Sequence, residues 1–201
     1  MRPVTSTPGP AQPIITEEQL RRRVTALGAE LAAAYAGNET HLLFVGVLKG
    51  STLFLADLLR ASQLDAEIDF IAISSYTQGE QAQSGIVRIV KDLERNISGL
   101  DVLLVEDIVD TGLTLNYLRR TLLEREPRSL ATVALLDKTA RRIVPVPIEY
   151  RGFQIPDVYV VGYGLDFQGR YRNLRSIQAV QDLARLANEP RLLEPPSWRR
   201  P

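Results

Sequence analysis

The stretch DVLLVEDIVDTGLTLNYLRRTLLER, residues 101–125, decides how the chain is read. It opens on an apolar run, Asp101–Val105, with the length and composition of a buried strand. Three acids follow, Glu106, Asp107 and Asp110, and then Thr111 and Gly112. From Leu113 the apolar spacing becomes helical, which predicts a helix over 113–125. A strand that enters a helix through a short loop leaves free backbone N–H groups and a positive dipole end at the helix start. Thr111 and Thr114 add hydroxyl donors there. Such a helix start is a seat for a phosphate monoester. Adjacent acids beside it can hold a sugar diol, directly or through a hard cation such as Mg²⁺. The loop is not a Walker loop, because the spacing differs and no Lys-Ser/Thr pair follows. With a single glycine it is not a dinucleotide fingerprint either. The plainer alternative is Asp110 as a helix cap among solvated acids.

Outward from this stretch, strand and helix patterns alternate. Thr16 with Glu17 and Glu18 starts a helix that runs to about Ala36, where Gly37-Asn38 stops it. Leu42–Leu48 reads as a strand buried on both faces, and Ser51–Ala61 as a helix. Ala66–Ser74 is a strand, TQGEQAQ at 77–83 a loop, and Gly85–Lys91 a strand with Val87 and Ile89 on one face. Ser129–Leu136 and Val158–Val161 read as strands, and Gln178–Ala187 as a last helix. This alternation predicts an α/β fold, a mainly parallel twisted sheet flanked by helices. Ligands of such sheets bind at the carboxyl ends of the strands, here the loops starting at Leu48, Ser74, Glu106, Asp137 and Gly162. Residues 1–13 and 190–201 are Pro-rich and aperiodic, so they are expected as tails around one domain at 14–189.

Composition narrows the chemistry. The 201 residues are 45% hydrophobic and 24% charged, enough to bury a substantial core. Twenty-four basic residues balance 24 acidic ones, which argues against nucleic-acid binding through bulk charge. No apolar run is long enough to cross a membrane and no secretion signal is evident, so a cytoplasmic protein is expected. Without cysteine there is no thiol nucleophile and no cysteine–zinc site. The single histidine, His41, sits at the entry to an apolar strand, where a bystander role is expected. Acid–base work then falls to carboxylates, lysine or tyrosine.

VEDIVDTGLTL, 105–115, resembles the phosphoribosyl-pyrophosphate motif of the type I phosphoribosyltransferases. The resemblance extends from about Leu42 to about Leu174, toward the bacterial hypoxanthine (hypoxanthine-guanine) members. It includes VGVLKGS at 45–51, SSY at 74–76, SGIVRIVKDL at 84–93, LLDK at 135–138 and VVGYGLDFQGRYRNL at 160–174. It implies the type I fold with a small hood region, and transfer of ribose 5-phosphate from phosphoribosyl pyrophosphate to a purine nitrogen.

The resemblance also implies residue roles. Asp110, Thr111, Gly112, Leu113 and Thr114 would surround the 5-phosphate, and Glu106 and Asp107 the ribose hydroxyls. Asp110 would face the purine N7 as its acid/base. Leu48, Lys49 and Gly50 would bind pyrophosphate together with Arg172, and the Leu48–Lys49 bond can be cis. Lys138 would contact the purine 6-oxo group, with Tyr159 stacked on the ring and Val160 and Asp166 at the base edge. Mg²⁺ is expected at Glu106, Asp107 and Asp166. Ser75 and Tyr76 would open a mobile loop, although YTQGEQAQSG departs from the usual Ser/Thr-rich form. The expected partners are phosphoribosyl pyrophosphate, a 6-oxopurine and further copies of the chain as a homodimer or homotetramer, with no nucleic acid or membrane. The alternatives are a xanthine-preferring enzyme and a regulatory protein of the same fold that binds phosphoribosyl pyrophosphate or nucleotides.

Overall fold

The computed structural model describes residues 11–37, 41–75, 87–189 and 192–193. The chain divides into two compact units, one formed up to Leu20 and from Val158 onward, the other by Arg21–Asp157.

The larger unit is built on a six-stranded sheet. Its strands are β2 (Leu42–Leu48), β3 (Glu67–Ser75), β4 (Val87–Lys91), β5 (Asp101–Val109), β6 (Ser129–Asp137) and β7 (Tyr150–Gln154), in the order β4-β3-β2-β5-β6-β7. All neighbours are parallel except β3 and β4, which run antiparallel. The β2–β5 junction separates strands added toward β3 from strands added toward β7, so it is the switch point where ligands of such sheets bind. Every residue of β2 from Leu42 to Val47 is buried, as a strand covered on both faces requires.

Helix α1 (Glu17–Tyr35) begins with a reciprocal cap: Thr16 Oγ1 accepts from Gln19 N at 3.2 Å and Gln19 Oε1 accepts from Thr16 N at 2.8 Å. Helix α2 (Thr52–Ser62) buries Phe54, Leu55 and Leu58, one stripe at helical spacing. Helix α3 (Leu113–Leu123) buries Leu115, Leu118 and Leu122 in the same manner. The α3 stripe joins Val45, Val47, Val102, Leu104 and Val109 in one core.

The smaller unit holds a three-stranded antiparallel sheet, β1 (Ala11–Ile15), β9 (Ile177–Val180) and β8 (Tyr159–Val161) in that order. A short helix, α4 (Leu183–Asn188), follows. Val161, Tyr171, Val180 and Leu186 form its core.

Three sequence expectations change. β1 begins inside the stretch read as a tail, since pairing with β9 orders a segment that has no periodicity of its own. Residues 178–187 are not one helix: Ile177–Val180 is a strand and the helix starts at Leu183. An IQAV run fits either state, and pairing on both sides decided for strand. The strand at 158–161, and with it the loop from Gly162, belongs to the antiparallel sheet and not to the parallel one. β7 was not foreseen, because YRGFQ carries a central glycine and no apolar run. No helix among the described residues is long and apolar enough to cross a membrane.

Candidate active site

β5 carries the acids further than its apolar run suggested. The strand continues to Val109, with Glu106 opposite Ala134 and Val109 opposite Asp137. The sequence reading ended it at Val105 because charge is costly to bury. Here that cost is retained: Glu106 is 7% exposed, and its Oε2 is buried with no hydrogen-bond partner. Burial, with the Asp107 charge adding to it, pushes the Glu106 carboxyl well above the usual glutamate range. Asp107 Oδ1 accepts from Ile108 N at 2.8 Å.

The loop after β5 and the start of α3 enclose a cavity of about 100 Å³, lined by Glu106, Asp110, Thr111, Gly112 and Thr114 among others. Gly112 caps α3 in the left-handed region, φ 86°, without any side-chain cap hydrogen bond. Leu113 N reaches only Thr111 Oγ1, at 3.4 Å. The first turn thus carries backbone N–H groups that no N-cap side chain takes up, the kind of site that suits an anion. The loop is braced from behind: Ile143 N and Val144 N donate to Thr111 O at 2.9 and 3.3 Å. A Cβ at Gly112 would meet Val144 O at 2.9 Å and Arg142 Cδ at 3.0 Å, so glycine is needed twice over there.

Across the switch point, β2 ends at Leu48, and the Leu48–Lys49 peptide is cis. Lys49 is exposed and its carbonyl accepts from Thr52 Oγ1 at 2.7 Å. Gly50 is buried against Asp107, whose Oδ2 would lie 1.4 Å from a Cβ at that position. The two loops therefore interlock, glycine against carboxylate.

β6 delivers Lys138. The residue is 6% exposed and its backbone N–H donates to Val109 O at 2.9 Å. Its ammonium lies 3.8 Å from Asp110 Oδ2 and 3.7 Å from Asp157 Oδ1, ion pairs longer than hydrogen bonds. Asp110 Oδ1 faces Arg141 Nε at 3.0 Å. Asp137, fully buried, is held by Arg142 and by Arg151 Nε at 2.8 Å. Asp137, Arg141, Arg142 and Asp157 were not singled out from sequence; the one available hint was two arginines directly after Lys138-Thr139-Ala140.

In the smaller unit Tyr159 is 41% exposed. Phe167 meets it edge-on at 5.8 Å, and its hydroxyl donates to Asp166 O at 2.9 Å. Partial burial, and then the nearby Asp166, raise the Tyr159 phenol above its ordinary value. Val160 is buried and pairs with Ala179. Asp166 and Arg172 hold each other, Oδ1 to Nη2 at 2.8 Å, while Arg172 Nη1 donates to Gly164 O at 2.6 Å. Ser75 ends β3, and Tyr76 lies outside the described residues.

In the larger unit, then, Leu48–Gly50, Glu106–Thr114 and Lys138 meet at the carboxyl edge of the sheet; Tyr159, Val160, Asp166 and Arg172 lie in the smaller one. The phosphoribosyl transferase domain family matches residues 15–168. The hypoxanthine phosphoribosyltransferase of Escherichia coli (strain K12) is 46% identical over 167 residues, 83% of this chain and 93% of that one. The hypoxanthine-guanine phosphoribosyltransferase of Bacillus subtilis (strain 168) is 44% identical over 168 residues, 84% of this chain and 92% of that one. A solved structure of the hypoxanthine phosphoribosyl transferase of Trypanosoma cruzi, from work on its C-terminal region and oligomeric state, superposes with a TM-score of 0.81 at 41% identity, covering 89% of this chain and 95% of that one. The chain belongs to the type I phosphoribosyltransferase family, among its hypoxanthine (hypoxanthine-guanine) members.

Proposed function

We propose that this protein is a purine-salvage enzyme that transfers the 5-phosphoribosyl group of phosphoribosyl pyrophosphate to hypoxanthine, and to guanine, releasing pyrophosphate. The observation that carries this is the ion pair between Asp110, beside an uncapped helix start, and the buried Lys138. It sets a carboxylate and a donor-only ammonium 3.8 Å apart next to a phosphate seat.

Each group then has a task. The N–H groups of the first turn of α3, with Thr111 and Thr114, hold the 5-phosphate. Glu106 and Asp107 receive the ribose hydroxyls, and the unsatisfied Glu106 oxygen supports this. As the glycosidic bond forms at N9, Asp110 takes the N7 proton. Lys138 donates to the 6-oxo oxygen. Adenine offers an amine there, and a buried donor left without an acceptor costs about 1–3 kcal/mol. Tyr159 stacks on the purine, and its partial exposure is in keeping with that role. Lys49 and Arg172 hold pyrophosphate, Arg172 by exchanging its Asp166 partner.

The donor set fits Mg²⁺. Glu106 and Asp107 supply adjacent carboxylates, and one Glu106 oxygen is buried without a hydrogen-bond partner; Mg²⁺ characteristically uses one or two carboxylates plus substrate oxygens. Glu106 and Asp107 would hold one ion and Asp166 a second. When bound, the metal neutralises charge on the leaving pyrophosphate. We place the enzyme in the cytoplasm as a homodimer or homotetramer.

The test is a steady-state assay with phosphoribosyl pyrophosphate and Mg²⁺, offering hypoxanthine, guanine, xanthine and adenine in parallel. Turnover of hypoxanthine and guanine with adenine inert is expected. Tight binding of phosphoribosyl pyrophosphate without turnover of any base would move the protein to a regulatory role.

A further inference from the structure

We infer that Asp157 is the standing counter-ion of Lys138, a positioning residue that supports binding of the 6-oxopurine in the reaction proposed above, on which this inference rests. Four charged side chains close a ring of alternating sign. Lys138 Nζ lies 3.8 Å from Asp110 and 3.7 Å from Asp157. Arg141 lies 3.0 Å from Asp110 and 3.5 Å from Asp157. Lys138 is the member that needs the ring, because its side chain is 7% exposed while those of Asp157, Arg141 and Asp110 are 53%, 46% and 40% exposed. An ammonium that deep is costly unless counter-charge stays beside it.

Asp110 cannot fill that need throughout the reaction. Once it has taken the N7 proton it is neutral, and Lys138 loses that partner while it must still hold the 6-oxo oxygen. Asp157 takes no proton from substrate in this scheme and keeps its place beside the ammonium. It sits three residues past the end of β7, just after a segment that is anchored to the end of β6 and the turn behind it. Ile155 N donates to Asp137 O at 3.0 Å, and Gln154 Nε2 donates to Thr139 Oγ1 at 2.6 Å. The carboxylate is thus near enough to hold the ammonium by charge, yet beyond hydrogen-bond distance, so it does not take up the N–H groups that read the base. Arg141 ties Asp157 to Asp110 and fixes their spacing. The plainer reading makes Asp157 a surface partner of Arg141, worth little to any activity.

A double-mutant cycle separates the two. Wild type, Asp157→Asn, Asp157→Glu, Lys138→Gln and the Lys138→Gln/Asp157→Asn double variant are compared with hypoxanthine and phosphoribosyl pyrophosphate varied in turn. Asp157→Asn is expected to raise KM for hypoxanthine about three- to tenfold. KM for phosphoribosyl pyrophosphate stays within about twofold, and Asp157→Glu recovers most of the loss. In the Lys138→Gln background, Asp157→Asn is expected to change nothing further, because its effect runs through the ammonium. Where that background turns over too slowly, IMP affinity by calorimetry completes the same cycle. An unchanged KM for hypoxanthine in Asp157→Asn overturns the inference. So does an effect of full size in the Lys138→Gln background, or an equal loss in both KM values together with a lowered Tm. A wild type that turns over no hypoxanthine removes the underlying functional reading and this inference with it, and the wild-type assay tells that failure from the others.

Discussion

Asp110 and Glu106 stand four residues apart on one strand end, yet their surroundings give them opposite characters. Asp110 is 40% exposed and faces two cations, Arg141 and Lys138, while Glu106 is buried beside another acid. Asp110→Asn keeps the shape but cannot take a proton. We expect turnover to fall about 100-fold or more with phosphoribosyl pyrophosphate affinity nearly intact, as a fluorescence titration would read; unchanged turnover would reject the acid/base role. Glu106 makes a different prediction, on stability. Below about pH 4.5, its ordinary value, it is neutral folded or unfolded and costs nothing. As pH rises above that, the unfolded chain ionises first and the folded state loses stability until its own raised value is passed. Glu106→Gln removes this loss. Its Tm should match wild type near pH 4.5 and exceed it increasingly toward neutral pH, while phosphoribosyl pyrophosphate binds less well. Equal Tm values at neutral pH would show that the burial is not felt.

At the scale of elements, the strands that hold the site are joined by features too close for substitution. A Cβ at Gly152 in β7 would lie 2.3 Å from Leu135 O in β6. Because that neighbour is backbone, Gly152→Ala should cost about 1–3 kcal/mol in urea unfolding. Asp137 at the end of β6 reaches Arg142 and Arg151 from a fully buried position. Removing it as Asp137→Ala should cost about 3–5 kcal/mol, and a loss below 1 kcal/mol would demote that pair to ordinary surface charge. The elements also show where sequence reading works. Leu42–Leu48 and the start of α3 at Leu113 were legible to the residue, because continuous apolar runs and helical spacing are local signals. β7 and β9 were not, because YRGFQ and IQAV become strands only through pairing, with the preceding strand β6 for β7 and with β1 at the other end of the chain for β9. The site divided in the same way. The acids of β5 and the glycine of the phosphate loop announce themselves within eleven residues. Arg141 and Asp157 matter through partners on other loops, and no spacing in the sequence brings 110, 138, 141 and 157 together.

For the molecule as a whole, ligand and metal should show as linkage. Phosphoribosyl pyrophosphate with Mg²⁺ binds the folded state alone, so saturation at about 100 times its dissociation constant should add about 2.7 kcal/mol of stability. A chelator should abolish most of that gain; a gain that survives chelation would mean that Glu106 and Asp107 hold the ribose without metal. The pairing of β1 with β9 bears on how the enzyme is made. Ala11 leaves the ribosome early, but its partner Val180 emerges about 8–34 s later at the usual rate of about 5–20 residues per second. The smaller unit, with Tyr159, Asp166 and Arg172, is therefore completed only after nearly all of the chain has been synthesised, and a prematurely terminated product would carry the loop after β5 without the residues proposed to stack the base and hold pyrophosphate.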